Sequence, residues 1–366
     1  MKDQTSTQPW INSAWSDSLF ILMPPFIVLL IVFLFPGIFH DGAAVSPFAW
    51  IVLVLCIDVS HVYSTLYRTY FDKESFRNNR KLYLLVPLIV FAAGVLLYTI
   101  GGLVFWRIAA YMAVFHFIRQ QYGFLRIYSR KEPAQKSAYY LDMITIYSLT
   151  VYPVLWWHIS GPRNFSWFVE GDFYFLDAPW LLLPLKITYF VILALWLGKE
   201  IFTSLKRKKI NLPRFMLMTG TGLSWYVGII FFNGDLVFTA LNVISHGIPY
   251  MALIWMYGNK KHRVQEASAK KERFITKIFR PRYILFFAGI LFFAAYLEEG
   301  LWDSLVWSDH PGIFRVFHSV LHPSESLLAV IVPLLAVPQL THYVLDGFIW
   351  RIGKDRFDWK KTTLGE

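Results

Sequence analysis

Four histidines are notable because each lies inside a long apolar stretch of the sequence. They are His61 in CIDVSHVYSTLY, His116 in VFHFIRQQYG, His246 in LNVISHGIPY and His342 in PQLTHYVLDGFIW. An ionisable side chain at the centre of a membrane-spanning helix costs about 2.5–3.5 kcal/mol on insertion scales, so such residues are rare and usually functional. Imidazole is also the commonest metal ligand among side chains. We therefore interpret these four residues as candidate ligands of a shared metal ion.

Two aspartates lie at helical spacing from these histidines. Asp58 precedes His61 by three residues, and Asp346 follows His342 by four, so each pair shares a helix face. A metal-bound histidine usually donates its other N–H to a carboxylate or carbonyl that fixes the ring orientation. The aspartates are predicted either to orient the histidines or to ligate metal themselves. If both ligate, the site would hold two ions rather than one.

Two amides have the same relation to the remaining histidines. Gln120 follows His116 by four residues, and Asn242 precedes His246 by four. Their side chains therefore face the same way as the imidazoles. We interpret both as polar residues that support the ligand histidines without binding the metal. The non-histidine residues predicted to take part in catalysis are Asp58, Gln120 and Asp346.

The types of side chain available as ligands limit which metal could bind and which reaction it could support. Cys56 is the single cysteine, which excludes an intramolecular disulfide and a thiolate cage. Imidazole with an occasional carboxylate suits iron(II), zinc or copper. A metal within lipid suits an apolar substrate, and oxidation of an unactivated hydrocarbon needs dioxygen, which favours non-haem iron. Zinc, the alternative, would imply hydrolysis and a supply of water to the site.

These residues are predicted to lie on membrane-spanning helices. The chain of 366 residues is 56% hydrophobic and 16% charged, with a mean hydropathy of +0.45. Soluble domains carry about 25% charged residues. Long apolar blocks predict an all-α integral membrane bundle, because lipid requires every backbone polar group to be satisfied within the helix. The ten predicted spans are 19–38, 47–68, 82–101, 103–127, 139–159, 180–198, 215–233, 236–258, 283–298 and 326–351.

The distribution of charge predicts the orientation. Lys and Arg concentrate after the second, fourth, sixth and eighth spans, so both termini are predicted to be cytoplasmic. The four histidine-bearing spans then run in one direction, with a depth spread of roughly 7 Å. The net charge of +11 is confined to loops, which favours contact with membrane lipid over nucleic acid. We predict one multi-pass inner-membrane domain over 1–366, with a cytoplasmic segment at 1–18 and a basic cytoplasmic loop at 259–282.

Other polar residues near span ends are interpreted as exposed to water. Glu298 and Glu299 close the ninth span and are expected at the outer surface. Five further histidines lie at span ends or in loops, where histidine is ordinary. A second metal site there is not the favoured interpretation. These histidines are His40, His158, His310, His318 and His322.

Three segments resemble the Brp/Blh-type membrane β-carotene 15,15′-dioxygenase family. The last span, AVPQLTHYVLDGFIWR, is similar to the family's final span, in which Val-Pro precedes His, Asp and Arg-like positions. FHFIRQQYG is similar to an element in which His-Phe opens a polar stretch, and FTALNVISHGIPYMALIW to the penultimate histidine-bearing helix. The family's Pro-His-Gly element has no counterpart, since DVSH places Asp before His. The matching residues of the last span are Val337, Pro338, His342, Asp346 and Arg351.

The resemblance implies a non-haem iron held by isolated histidines on separate spans, and a lipid, isoprenoid or carotenoid-like substrate. The dense HxxxH and HxxHH boxes of membrane desaturases and hydroxylases do not occur here. The sequence therefore predicts an iron-dependent membrane oxygenase. The main rival is a transporter or ion-conducting protein that uses the same buried polar residues. Gly247 and Pro249 beside His246 fit the broken helices of transporters, although no internal repeat is visible.

Overall fold

The computed structural model describes residues 8–133, 135–266, 277–317 and 323–350, and within those ranges the regular secondary structure is entirely helical. The prediction of an all-α fold is therefore confirmed. The helices, in chain order, are α1 Ala14–Leu22, α2 Pro24–Leu34, α3 Pro47–Arg68, α4 Lys73–Asn78, α5 Arg80–Ile100, α6 Gly102–Tyr128, α7 Lys136–Ser160, α8 Pro179–Arg207, α9 Leu212–Trp225, α10 Asp235–Glu266, α11 Pro281–Trp307 and α12 Glu325–Ile349.

Seven of these helices are long and apolar enough to cross a membrane, which is typical of a membrane-spanning protein. An eighth crossing results if α1 and α2, bent by 53° at their junction, act as one span. Helices also form at the fifth and seventh predicted spans. There, however, Tyr, Ser, Thr and Gly make α7 and α9 less apolar. The count of ten spans stays a prediction, as does the orientation.

Parts of several predicted segments lie outside the described residues. These are 1–7 of the N-terminal segment, 267–276 of the basic loop and 351–366 at the C-terminus, which includes Arg351. His318 and His322 also lie outside them.

The contacts between helices divide the chain into two compact units. One comprises 1–44, 117–166 and 173–249, and the other 45–116, 167–172 and 250–366. Helices α6 and α10 each continue from one unit into the other.

In the second unit, close contacts fix the helix that carries His342. A side-chain carbon at Gly94 of α5 would lie 2.9 Å from the Pro333 Cβ of α12, so only glycine permits this approach. Phe105 at the start of α6 packs into the same core with Val332 and Leu340. These contacts hold α12 against α5 and the beginning of α6.

In the first unit, a network of buried charges joins the ends of three helices. The Arg214 guanidinium of α9 donates from Nη2 to both Glu200 carboxylate oxygens of α8 at 2.8 Å. Its Nη1 lies 3.5 Å from Asp142 of α7, which also pairs with Lys199. Removing one partner of a buried network leaves an uncompensated charge, which typically costs 3–5 kcal/mol. The network therefore ties α7, α8 and α9 together.

Glu132, in the segment between α6 and α7, belongs to this network through Arg214. Its pKa indicates that the stability of the fold depends on pH. Burial raises the pKa of Glu132. Arg214, Asn211 and Arg207 together lower it by more, so the net pKa lies below its ordinary value. A carboxyl group with a depressed pKa stabilises the fold above its unfolded pKa of about 4.3 and loses that effect as pH falls through the folded pKa.

We expect Glu132→Gln to lower the melting temperature at pH 7, in thermal unfolding of detergent-solubilised protein. The difference from wild type should shrink below about pH 4, where wild-type Glu132 also becomes neutral. Glu170→Gln, at an exposed carboxyl group, is the control. Equal melting temperatures for the two variants at every pH would contradict a stabilising role for Glu132.

Candidate metal centre

His61 lies on α3, just after a segment with wider helical turns. Residues 51–59 form i→i+5 turns, and the Ser60 hydroxyl donates to the Leu55 carbonyl at 2.8 Å. Such turns are rare and occur frequently at functional sites. Asp58 and His61 share a face, with Asp58 Oδ1 3.6 Å from His61 Nδ1. The His61 side chain is buried, so its ring faces the protein interior.

His342, on α12, is oriented by a hydroxyl from α3. Its Nδ1 lies 2.7 Å from the Thr65 hydroxyl oxygen, which is also 3.0 Å from the Tyr250 hydroxyl. The His342 and His61 ring centroids are 5.0 Å apart. The other ring nitrogen, Nε2 of His342, is buried and has no hydrogen-bond partner among the described residues. Nδ1 is therefore engaged, and Nε2 is the nitrogen that can bind a ligand.

His116, on α6, lies beside both His342 and a carboxylate of α12. Its ring centroid is 4.5 Å from that of His342, and it stacks on Tyr343 at 4.9 Å. Its Nδ1 is 3.6 Å from Asp346 Oδ2. Helical spacing alone predicts His342 as the companion of Asp346. The structure places Asp346 next to a histidine of the neighbouring helix.

His246, on α10, is held by its ring and by its backbone. The ring stacks face to face on Phe117, with centroids 3.6 Å apart and planes 8° from parallel. Gln120 of α6 donates to the His246 carbonyl at 3.0 Å. The spacing of Gln120 predicts that it supports the ring of His116. In the structure it supports the backbone of His246.

Pro249 explains why a second amide is also needed there. Proline has no N–H, so it leaves the carbonyl of residue 245 without its usual helical partner. Gln121 donates to this Ser245 carbonyl at 3.4 Å. The consecutive glutamines of α6 therefore stabilise α10 around His246.

The four buried histidines lie close together. One ring nitrogen from each lies within 4.8 Å of those of the other three. Two nitrogens bound to one ion at about 2.1 Å can be at most about 4.2 Å apart. Shifts of less than an ångström would therefore bring all four into a coordination sphere. The arrangement is compatible with a single metal ion held by imidazoles.

The two aspartates lie beside this group. Among the described residues, the compact set of ligand atoms contains four histidines and no carboxylate. Asp58 and Asp346 each lie 3.6 Å from one histidine Nδ1. This distance is too long for a direct hydrogen bond, so each carboxylate is a neighbour of its imidazole, and its role in orienting the ring stays a prediction. Direct ligation by either aspartate stays a prediction.

Sequence reasoning missed two residues of the site, and one residue that it selected bonds its own helix. Thr65 and Tyr250, which contact each other and pack around His342, follow His61 and His246 by four residues. The same spacing argument that selected the aspartates could have found them. Asn242, by contrast, donates to the Phe238 carbonyl of its own helix at 2.9 Å.

The expectation that Glu298 lies in water is wrong. Its side chain is buried in the second unit, where the Tyr63 hydroxyl donates to Oε2 at 2.5 Å and the Trp302 indole to Oε1 at 3.3 Å. These partners compensate for the loss of water. Glu299 is half-buried.

Of the five histidines predicted at span ends or in loops, three lie within the described residues and have ordinary surroundings. The His310 ring packs on Trp50, with centroids 4.2 Å apart. His158 Nδ1 bonds the carbonyl one turn earlier in its own helix, and His40 is exposed. None of the three belongs to the four-histidine group.

Comparisons with protein-family models, with curated proteins and with solved structures find no match to this chain.

The contact between Thr65 and His342 predicts a measurable effect on metal binding. Thr65→Val keeps the shape of the side chain and removes the hydroxyl that engages His342 Nδ1. Loss of such a supporting partner typically lowers metal affinity about 10–100-fold. We expect a decrease of this size in titrations against a chromophoric chelator.

Thr150→Val is the matched control, because it is the same change at a buried hydroxyl that bonds a backbone carbonyl of its own helix, α7. Circular dichroism spectra would verify that both variants remain folded. Equal metal affinity for wild type, Thr65→Val and Thr150→Val would show that Thr65 does not orient a metal ligand.

Proposed function

We propose that this protein is a multi-pass inner-membrane oxygenase that binds a non-haem iron through four histidines and oxidises an apolar substrate with dioxygen. The observation that carries the proposal is the set of four buried imidazole nitrogens within 4.8 Å of one another. The proposed ligands are His61, His116, His246 and His342.

The residues present fit a divalent transition metal. Imidazole donors suit iron(II), zinc and copper, whereas magnesium and calcium prefer oxygen ligands. The buried Nε2 of His342, which has no hydrogen-bond partner within the described part of the chain, also fits a metal ligand. We propose one ion, because the carboxylates lie beside the histidines. A second ion would need Asp58 and Asp346 as ligands.

The surroundings support an apolar substrate. The histidines lie on helices that are themselves apolar enough to span a membrane, where lipids and isoprenoids partition. The resemblance of three segments to the Brp/Blh-type family supports the same substrate class and extends it to carotenoid-like molecules. Bound iron would supply the activation of dioxygen that oxidation of such molecules requires.

The chain's own residues have defined tasks in this proposal. Thr65 fixes the tautomer and direction of His342, while Asp58 and Asp346 act on His61 and His116. The aromatic rings of Tyr343, Phe117 and Tyr250 pack against the imidazoles and limit both ring rotation and entry of water. Zinc-dependent hydrolysis is less well supported, because it needs water at this buried position.

A transporter or proton-conducting protein is the second candidate, favoured by one observation. Glu298 is buried and hydrogen-bonded to Tyr63 on α3, the helix that also carries Asp58 and His61. Buried ionisable residues on a shared helix are typical of proton relays. Such a protein would need no stoichiometric metal.

Elemental analysis of purified protein separates these functions. We expect about one iron per chain in wild type, and loss of most of it in His116→Ala and His342→Ala, because each change removes one ligand. His158→Ala is the control, since His158 bonds its own helix and lies outside the group. Stoichiometric zinc would support the metal site but contradict the oxygenase.

Two further results would also distinguish the oxygenase from the transporter. Absence of stoichiometric metal, with the same content in every variant, would favour the transporter. Uptake of dioxygen when iron-loaded protein is mixed with membrane lipid extract should disappear in His342→Ala. Its persistence in that variant would contradict the proposed site.

A further inference from the structure

A cavity of about 570 Å³ in the first unit is rich in positive charge. It lies among the last turns of α6, the first turns of α7 and the last turns of α8. Its lining includes two acidic residues, Glu132 and Asp142, and six basic ones. The basic residues are Arg126, Arg130, Lys136, Lys199, Arg207 and Arg214.

The carboxylates do not neutralise all of this charge. Lys199, Arg207 and Arg214 form ion pairs with acidic residues of the buried network. Among the described residues, Arg126 and Lys136 form no ion pair. The Arg126 guanidinium lies over the Tyr139 ring, 4.2 Å from its centroid. The cavity therefore retains an excess of positive charge that an anion could neutralise.

A buried hydroxyl gives independent evidence for a ligand. Ser129 lines the cavity and is 7% exposed, and its Oγ has no hydrogen-bond partner among the described residues. Buried hydroxyl groups are nearly always hydrogen-bonded, so this one needs a partner. Nε of Arg214, which also lines the cavity, is likewise buried and has no partner within the described ranges.

An apolar groove of about 400 Å³ follows the same pair of helices. Asp142 lines the charged cavity, and Met143, the next residue of α7, lines the groove. The groove continues to Leu155 on α7, with Leu185 and Ile192 on α8. Twelve helical residues span about 18 Å, similar to the half-thickness of a bilayer's hydrocarbon core, roughly 15 Å. A charged cavity and an apolar groove thus lie in succession along α7 and α8.

We propose that this is a binding site for an anionic phospholipid, with the phosphate of the head group in the cavity and an acyl chain in the groove. Phosphate oxygens would accept hydrogen bonds from Arg126, Lys136 and Ser129, the groups that the protein leaves available. Such charge-assisted bonds are stronger than neutral ones. Basic pockets between membrane helices bind lipid head groups by this chemistry. The site is independent of the proposed metal centre.

Native mass spectrometry of delipidated protein tests this site. The probes are phosphatidylglycerol, phosphatidylcholine and inorganic phosphate, each added at the same concentration. Arg126→Gln with Lys136→Gln removes two charges from the cavity. Lys206→Gln with Lys209→Gln removes two charges from exposed residues that do not line the cavity, and it is the matched control. Val151→Trp fills the groove, and Val191→Trp places the same ring on an exposed part of α8 that does not line the groove.

We expect wild type and both control variants to retain phosphatidylglycerol in preference to phosphatidylcholine. The cavity and groove variants should each retain roughly tenfold less. Equal retention of the two lipids, or unchanged retention in the cavity variant, would overturn the proposal. Inorganic phosphate that binds as strongly as phosphatidylglycerol would identify a free anion as the ligand instead. Circular dichroism spectra establish that each variant is folded before its retention is compared.

Discussion

The structure depends on the burial of four imidazoles within apolar helices. A buried polar group that loses its partners costs about 1–3 kcal/mol, so four such rings in close proximity are tolerated only if their nitrogens are satisfied. The protein supplies partners for one side of this group, such as the Thr65 hydroxyl at His342. A metal ion shared with the other three rings would satisfy the buried Nε2 of His342, and such an ion would link the helix arrangement to a chemical function.

Two of the local irregularities of the fold lie close to these histidines in the sequence. The wider turns of 51–59 lie just before His61, and Pro249 follows His246 by three residues. Each irregularity changes which backbone groups are paired, and a side chain compensates nearby. Gln121, for example, bonds the Ser245 carbonyl that Pro249 leaves free. The histidines are therefore held by backbone contacts as well as by contacts to their rings, which favours a rigid site.

The sequence was sufficient to predict the histidines and the helices but not the contacts across helices. Hydropathy identifies apolar segments, and a polar residue within one is visible without a structure. The rotation of each helix about its axis is set by packing, so the sequence does not specify which helix faces Asp346 or Gln120. Asp346 lies beside His116 of another helix, and Gln120 bonds the backbone of His246, also on another helix. Glu298 was misinterpreted for a related reason: its position at a span end conceals a hydrogen bond to Tyr63 on another helix.

X-ray absorption spectroscopy at the iron edge of the purified protein tests directly whether the histidines share one iron ion. We expect coordination dominated by nitrogen at about 2.1 Å, with the additional scattering of several imidazole rings. This imidazole signal should decrease in His246→Ala, which removes one of the four rings. A shell of oxygen ligands without imidazole scattering, or a spectrum unchanged by His246→Ala, would contradict this expectation.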